Sequence, residues 1–182
     1  MEENKKPTNN KTTNKPVKID DGVSIKVKSN FYGKLYFKNP RSGDEFAWSQ
    51  NGEIQFLTMF DLKTIKAQAS GFFRNQWVTI LGVADDSDCK ATSADICKAL
   101  AIDVYYKNFI DPTNFDVVCS WSEAEIAEKI SLLSEGAKTN LIVALNSFIE
   151  NGDVTGMKVP AKLDKRWYIT EAIKRLEQYG VY

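Results

Sequence analysis

Residues 37–62 read FKNPRSGDEFAWSQNGEIQFLTMFDL, a stretch with two turn signals, three short runs of strand character and the start of a helix. Phe37 closes a run that begins at Leu35, in which Leu35 and Phe37 alternate with Lys34, Tyr36 and Lys38. Asn39-Pro40-Arg41-Ser42-Gly43 turns the chain, with Pro fixing one φ and Gly tolerating the unusual one. Phe46 and Trp48 mark a third strand. Asn51-Gly52 then predicts a two-residue hairpin with a type I′ turn, because both residues accept positive φ. Ile54 and Leu57, with Phe56, make a fourth strand. Thr58-Met59-Phe60-Asp61 has capping-box spacing, the Thr hydroxyl accepting from the amide three residues on while the Asp carboxylate reaches back. The helix it opens places Met59, Leu62, Ile65, Ala69 and Phe72 on one face, and Gly71 is expected to end it.

Upstream, Val23, Ile25 and Val27 alternate with Ser24, Lys26 and Lys28, which predicts a first strand with one buried face. Downstream, Trp77, Thr79 and Leu81 predict a strand that closes the sheet. Residues 21–83 therefore read as a small antiparallel β unit with one packed helix. Residues 84–121 read as a connector that holds a short helix capped by Thr92 and Asp95, a brief strand at Val104–Tyr106 and a loop at Asp111-Pro112-Thr113-Asn114. Residues 122–182 read as a three-helix bundle. Its first helix opens on a Ser122/Glu125 capping box, carries Ile126, Ile130 and Leu133 inward, and is broken by Ser134-Glu135-Gly136. Leu141, Val143, Leu145, Phe148 and Ile149 follow in a second helix, and a third runs from Pro160 to Gly180. The fold class is α+β, the β unit and the bundle forming two domains or sharing one core.

At 182 residues and 43% apolar content the chain can bury a substantial core, and 24 basic against 24 acidic side chains leave no global field to attract nucleic acid or an anionic membrane. No apolar run is long enough to span a bilayer, and the first residues lack the apolar core of a secretory signal, so a cytosol-like compartment is expected. Cys89, Cys97 and Cys119 are odd in number and widely spaced, and read as reduced, buried small hydrophobes. The absence of histidine removes Ser-His-Asp and Cys-His catalysis, His-containing zinc sites and the usual proton shuttle near neutral pH.

The remaining chemistry-bearing groups each have a structural reading beside the functional one. Asp85, Asp86 and Asp88 suggest a calcium loop, but the glycine and glutamate that an EF-hand needs are out of register, leaving a solvated turn. Glu123, Glu125, Glu128 and Glu135 sit where acidic side chains complement helix starts. Tyr36, Phe46 and Trp48 are either a stacking platform for single-stranded nucleic acid or core. Residues 1–20 form a polar arm with five lysines, Lys5, Lys6, Lys11, Lys15 and Lys18, suited to solubilising the chain, tethering it to a partner protein or touching nucleic acid. The last helix carries Lys162, Lys165, Arg166, Lys174 and Arg175, as a groove-reading helix would, although Glu171 and Glu177 dilute the charge. No residues are assigned to catalysis, a metal or a cofactor. The candidate partner-binding residues are Lys5, Lys6, Lys11, Lys15, Lys18, Lys165, Arg166, Lys174 and Arg175.

From Phe31 to Trp77 the series FYGKLYFKNPRSGDEFAWSQNGEIQFLTMFDLKTIKAQASGFFRNQW resembles a recurring module of tailed bacteriophages. Its marks are a hairpin, a Trp-bearing strand, a Gly-turned strand ending in Met, a helix opening with Asp-Leu, and Phe-Phe with a nearby Trp. The resemblance implies a virion component made in the host cytoplasm. On that expectation the protein is a non-enzymatic structural or assembly protein of capsid, neck or tail, present in symmetric copies among other virion proteins. The alternative is a phage nucleic-acid-binding accessory protein that uses the lysine arm and the last helix.

Overall fold

The computed structural model describes residues 18–107, Phe109, residues 122–151 and Lys174. The chain begins with β1 (Ser24–Ser29), β2 (Leu35–Lys38), β3 (Glu45–Trp48) and β4 (Ile54–Thr58). It continues through α1 (Met59–Gln68), α2 (Gly71–Arg74), β5 (Val78–Val83), α3 (Ser93–Ala99) and α4 (Asp103–Tyr106) to α5 (Glu123–Ser131) and α6 (Glu135–Asn151). Antiparallel sheets with several helices make this an α+β chain. The third helix expected after Pro160 lies outside the described residues, apart from Lys174, which is helical.

β1 is the centre of a three-stranded antiparallel sheet in the order β4-β1-β5, and β2 and β3 form a second, two-stranded sheet. The alternation in β1 sends Ile25 and Val27 inward, where they face Leu57 and Gln55 of β4 and Val83 and Ile80 of β5. Trp48 is fully buried, and its Nε1 donates to Val27 O at 3.1 Å, joining the sheets across their common core. Phe72 is the aromatic hub: its ring lies 6.1 Å from Phe37, 6.3 Å from Trp48 and 5.8 Å from Trp77, in edge and tilted arrangements that favour aromatic pairs. Phe72, Phe73 and Trp77 are thus packing residues. Ile96, Leu100 and Ile102, from the segment read as connector, belong to the same hydrophobic cluster.

Several expectations are corrected. The Asn51-Gly52 turn does not close a hairpin, since β3 pairs with β2 and β4 with β1. Among the two turn residues only Gly52 has positive φ, at 82°, so the turn is not type I′; it carries the chain from one sheet to the other, where no strand twist has to be matched. Gly71 starts α2 instead of ending a longer helix, because α1 already stops at Ala69, whose N–H donates to Ile65 O. The buried face of β5 is Val78 and Ile80, with Leu81 exposed, opposite to the predicted phase. Gln76, at φ 57°, sets that phase, and Trp77 is spent on the aromatic cluster before the strand begins. Val104–Tyr106 is helical, held by Tyr106 Oη donating to Val78 O at 2.6 Å and Gln76 Nε2 donating to Tyr105 O at 2.7 Å. The expected break after α5 is present at Leu132–Ser134, but Glu135 and Gly136 already belong to α6, where Ser134 Oγ accepts from Ala137 N. Val143 faces outward, whereas Leu141, Ile142 and Ala144 are buried.

α6 is fastened to the β unit at its first turns. Ser134 Oγ donates to Arg74 O at 3.0 Å, and Asn140 Nδ2 donates to Asn30 O at 3.2 Å. Asn30 is itself buried, its amide donating to Gln76 O and Thr79 Oγ1, so one side chain positions the α2–β5 turn under the helix.

Candidate interaction surfaces

Three regions of the described surface could meet a partner. The first is the outer face of the three-stranded sheet. Register and alternation put Ile54 and Phe56 of β4 on that face, opposite Lys28 and Lys26 of β1. Phe56 is 57% exposed and Ile54 43%, where a solvated antiparallel sheet ordinarily carries polar side chains. Lys26 does not project freely, since its Nζ lies 2.7 Å from Asp85 Oδ1. Gln55 Nε2 donates to Ala47 O and holds β4 alongside β3, whose cross-strand neighbour Tyr36 is also exposed. Lys38 and Glu45 pair at 2.7 Å on that second sheet, which holds the Glu45 carboxyl below its usual range and the Lys38 ammonium above its own. Lys26 and Lys38 are therefore paired within the chain, whereas Lys28, opposite Ile54, has no ion pair among the described residues.

The expected trio of Tyr36, Phe46 and Trp48 divides. Trp48 is core, Phe46 is packed against the core, and Tyr36 is exposed, so no joint platform of the three exists. Phe56 is the aromatic that sequence reasoning left unplaced. Its signal was weak, because Ile54, Phe56 and Leu57 are all apolar and only pairing with β1 decides which of them turns inward.

The second region is a groove of about 580 Å³ between β5, α3 and α4. Ile80, Ala94, Cys97, Val104, Tyr106 and Phe109 give it an apolar lining, and the exposed side chains Lys98, Asp103 and Lys107 complete it. The Thr92/Asp95 capping box fixes the start of α3, and the Tyr106 hydroxyl fixes α4 against the strand. Burial, with the Asp103 carboxylate nearby, pushes the Cys97 thiol up to about 11, so the sulfur is a neutral wall of the groove at physiological pH. Burial raises the Tyr106 phenol as well, keeping it a hydrogen-bond donor. Cys89 and Cys97 are free and half-buried, while Cys119 lies outside the described residues.

The third region consists of the basic residues. Lys18 and Lys174 are exposed; Lys5, Lys6, Lys11, Lys15, Lys165, Arg166 and Arg175 lie outside the described residues. Among the described residues no group of three or more metal-ligating side chains converges, and no helix is long and apolar enough to cross a membrane. Asp85 pairs with Lys26, and Glu125 caps α5. Comparison of the chain with protein-family models, with curated proteins and with solved structures finds no match.

Proposed function

We propose that this chain is a non-enzymatic structural or assembly subunit of a tailed-phage virion, at the capsid, neck or tail, working through protein–protein contacts. The observation that carries the reading is the outer sheet face: the β1–β4 register holds Phe56 and Ile54 outward, with Lys26, opposite Phe56, paired to Asp85. An exposed face that is aromatic and apolar is suited to burial against protein. The phage attribution rests on the resemblance of residues 31–77. In this reading residues 1–20 tether the chain to neighbours in the particle, 122–182 form the three-helix bundle, and the protein is made in the host cytoplasm and carried in the virion. The competing reading, nucleic-acid binding through the lysine arm and the last helix, has the exposure of Lys18 and Lys174 in its favour.

Mass spectrometry of purified particles, intact and emptied of DNA, tests the proposal. A fixed copy number that survives loss of DNA is the expected result. Absence from particles overturns it and brings forward the nucleic-acid reading, whose binding must weaken steeply with salt.

A further inference from the structure

β5 is an edge strand, and the direction of its backbone groups follows from the ladder. Odd-numbered residues around β1 turn towards β4: Val23 O accepts from Met59 N, Ser29 N donates to Glu53 O and Ser29 O accepts from Gly52 N. Even-numbered residues turn towards β5, with Ser24 O accepting from Ala84 N and Asn30 N donating to Trp77 O. Val78 faces Ser29 and Ile80 faces Val27 across the ladder, so both direct their N–H and C=O away from β1. The Tyr106 hydroxyl takes Val78 O. Ile80, 4% exposed, lines the groove between α3 and α4, on the side to which the ladder directs its N–H and C=O.

We infer that this groove receives an extended segment of a partner protein, apolar at its centre and acidic at its ends, which adds as a strand to the edge of β5 that no other strand pairs with among the described residues. The segment pairs with the Ile80 backbone in the strand-addition mode, where main-chain hydrogen bonds supply affinity and pockets for alternate side chains supply selectivity. Its apolar side chains enter between Ala94, Cys97, Val104 and Phe109. Its carboxylates meet Lys98 and Lys107, two cations against the single carboxylate of Asp103. The inference deepens the assembly reading and rests on it for the origin of the partner, while the pairing itself is tested on the purified chain, so the two fail separately.

The test is amide NMR of the labelled full chain titrated with three synthetic peptides: Asp-Val-Ile-Val-Asp, its Lys-flanked counterpart, and the Asp-flanked peptide with a central Pro. The expected result is a saturable shift at Ile80 and its neighbours with the first peptide at about 1 mM or below, the weak end of specific affinities. The Lys-flanked peptide should bind about tenfold more weakly through like-charge repulsion, and the Pro peptide, which lacks the central N–H, should not pair. Val104→Arg, at a side chain 63% exposed, should abolish the shift while leaving the rest of the spectrum in place. No shift with the first peptide, equal binding of all three, or binding unaffected by Val104→Arg overturns the inference. So do the same Ile80 shifts appearing on concentrating the chain alone, which would make a second copy the occupant.

Discussion

The Asn39 side-chain amide donates to Asp61 Oδ1 at 2.6 Å, and both residues are buried. The bond ties the β2–β3 loop to the start of α1. Asn39 Oδ1 accepts from Arg41 N at 2.9 Å to shape the loop, while Asp61 Oδ2 accepts from Thr58 N at 3.0 Å to complete the capping box. Each residue thus serves a local turn with one end and the tertiary fold with the other. Asn39→Ala should cost about 2–3 kcal/mol, since it strands a buried carboxylate oxygen. Thr92→Ala, at the exposed cap of α3, should cost only about 1 kcal/mol. Urea denaturation of the two variants checks the difference.

Ala101 has φ 49°, the left-handed conformation that favours glycine. Its N–H donates to Lys98 O and the N–H of Ile102 donates to Cys97 O, the paired bonds that close a helix end in a Schellman motif. Ala101→Gly should relieve the strain of Cβ and stabilise the protein by about 0.5–1 kcal/mol, the gain being reduced by the greater freedom of glycine in the unfolded chain. A rise in the urea midpoint with unchanged slope is the expected observation.

How much of this was legible in the sequence follows from the range of the forces concerned. The caps at Thr58, Thr92 and Ser122 were readable because each is closed within four residues, and the inward faces of β1, β2 and β3 because their alternation is strict. The phase of β5 was not, because it depends on the backbone of Gln76, and local preference gives no warning of a non-glycine residue at positive φ. Val104-Tyr105-Tyr106 has strand propensity, but Tyr106 bonding to Val78 and Gln76 bonding to Tyr105 make it a helix. The groove was invisible for the same reason, being assembled from three elements whose approach no local pattern records.

Gly136 marks the close approach of α6 to the α2–β5 turn. A Cβ there would meet the Asn75 side chain at 2.3–2.6 Å. Gly136→Ala should force Asn75 to swing away and give up its hydrogen bond with Ser134 Oγ, 3.0 Å long. The loss, about 1 kcal/mol for the bond, outweighs or cancels the helix propensity gained. Added to Asn75→Ala, the same substitution meets no obstacle and should stabilise α6. Amide hydrogen exchange in α6 for the single and double variants reads this non-additivity directly.

The capping boxes also predict how stability responds to acid. Hydrogen bonds from Thr92 hold the Asp95 carboxyl below its usual value, and those from Ser122 do the same for Glu125. A carboxyl whose value is depressed by folding contributes fully above its unfolded value, near 4, and its contribution is lost as pH falls through the lower folded value. The urea midpoint should therefore fall on acidification below about pH 5. In Thr92→Ala and Ser122→Ala, which release the carboxylates, the slope in that window should be shallower.

Phe56 separates folding from assembly. Its neighbour Leu57 is buried against β1, and Phe56 itself is 57% exposed on the opposite face. Phe56→Ser should therefore leave the thermal transition of the free chain within about 0.5 kcal/mol of the parent, as surface substitutions generally do. In an assembled particle the same side chain would be withdrawn from water, and a buried aromatic anchor at the centre of an interface is worth about 2 kcal/mol or more. Particles grown with Phe56→Ser should carry the protein at a much reduced copy number, or fail to assemble, while Lys66→Ala, at an exposed position on α1, should be incorporated normally. Normal incorporation of Phe56→Ser would show that the outer sheet face stays in solvent, and the assembly reading would lose the observation that carries it.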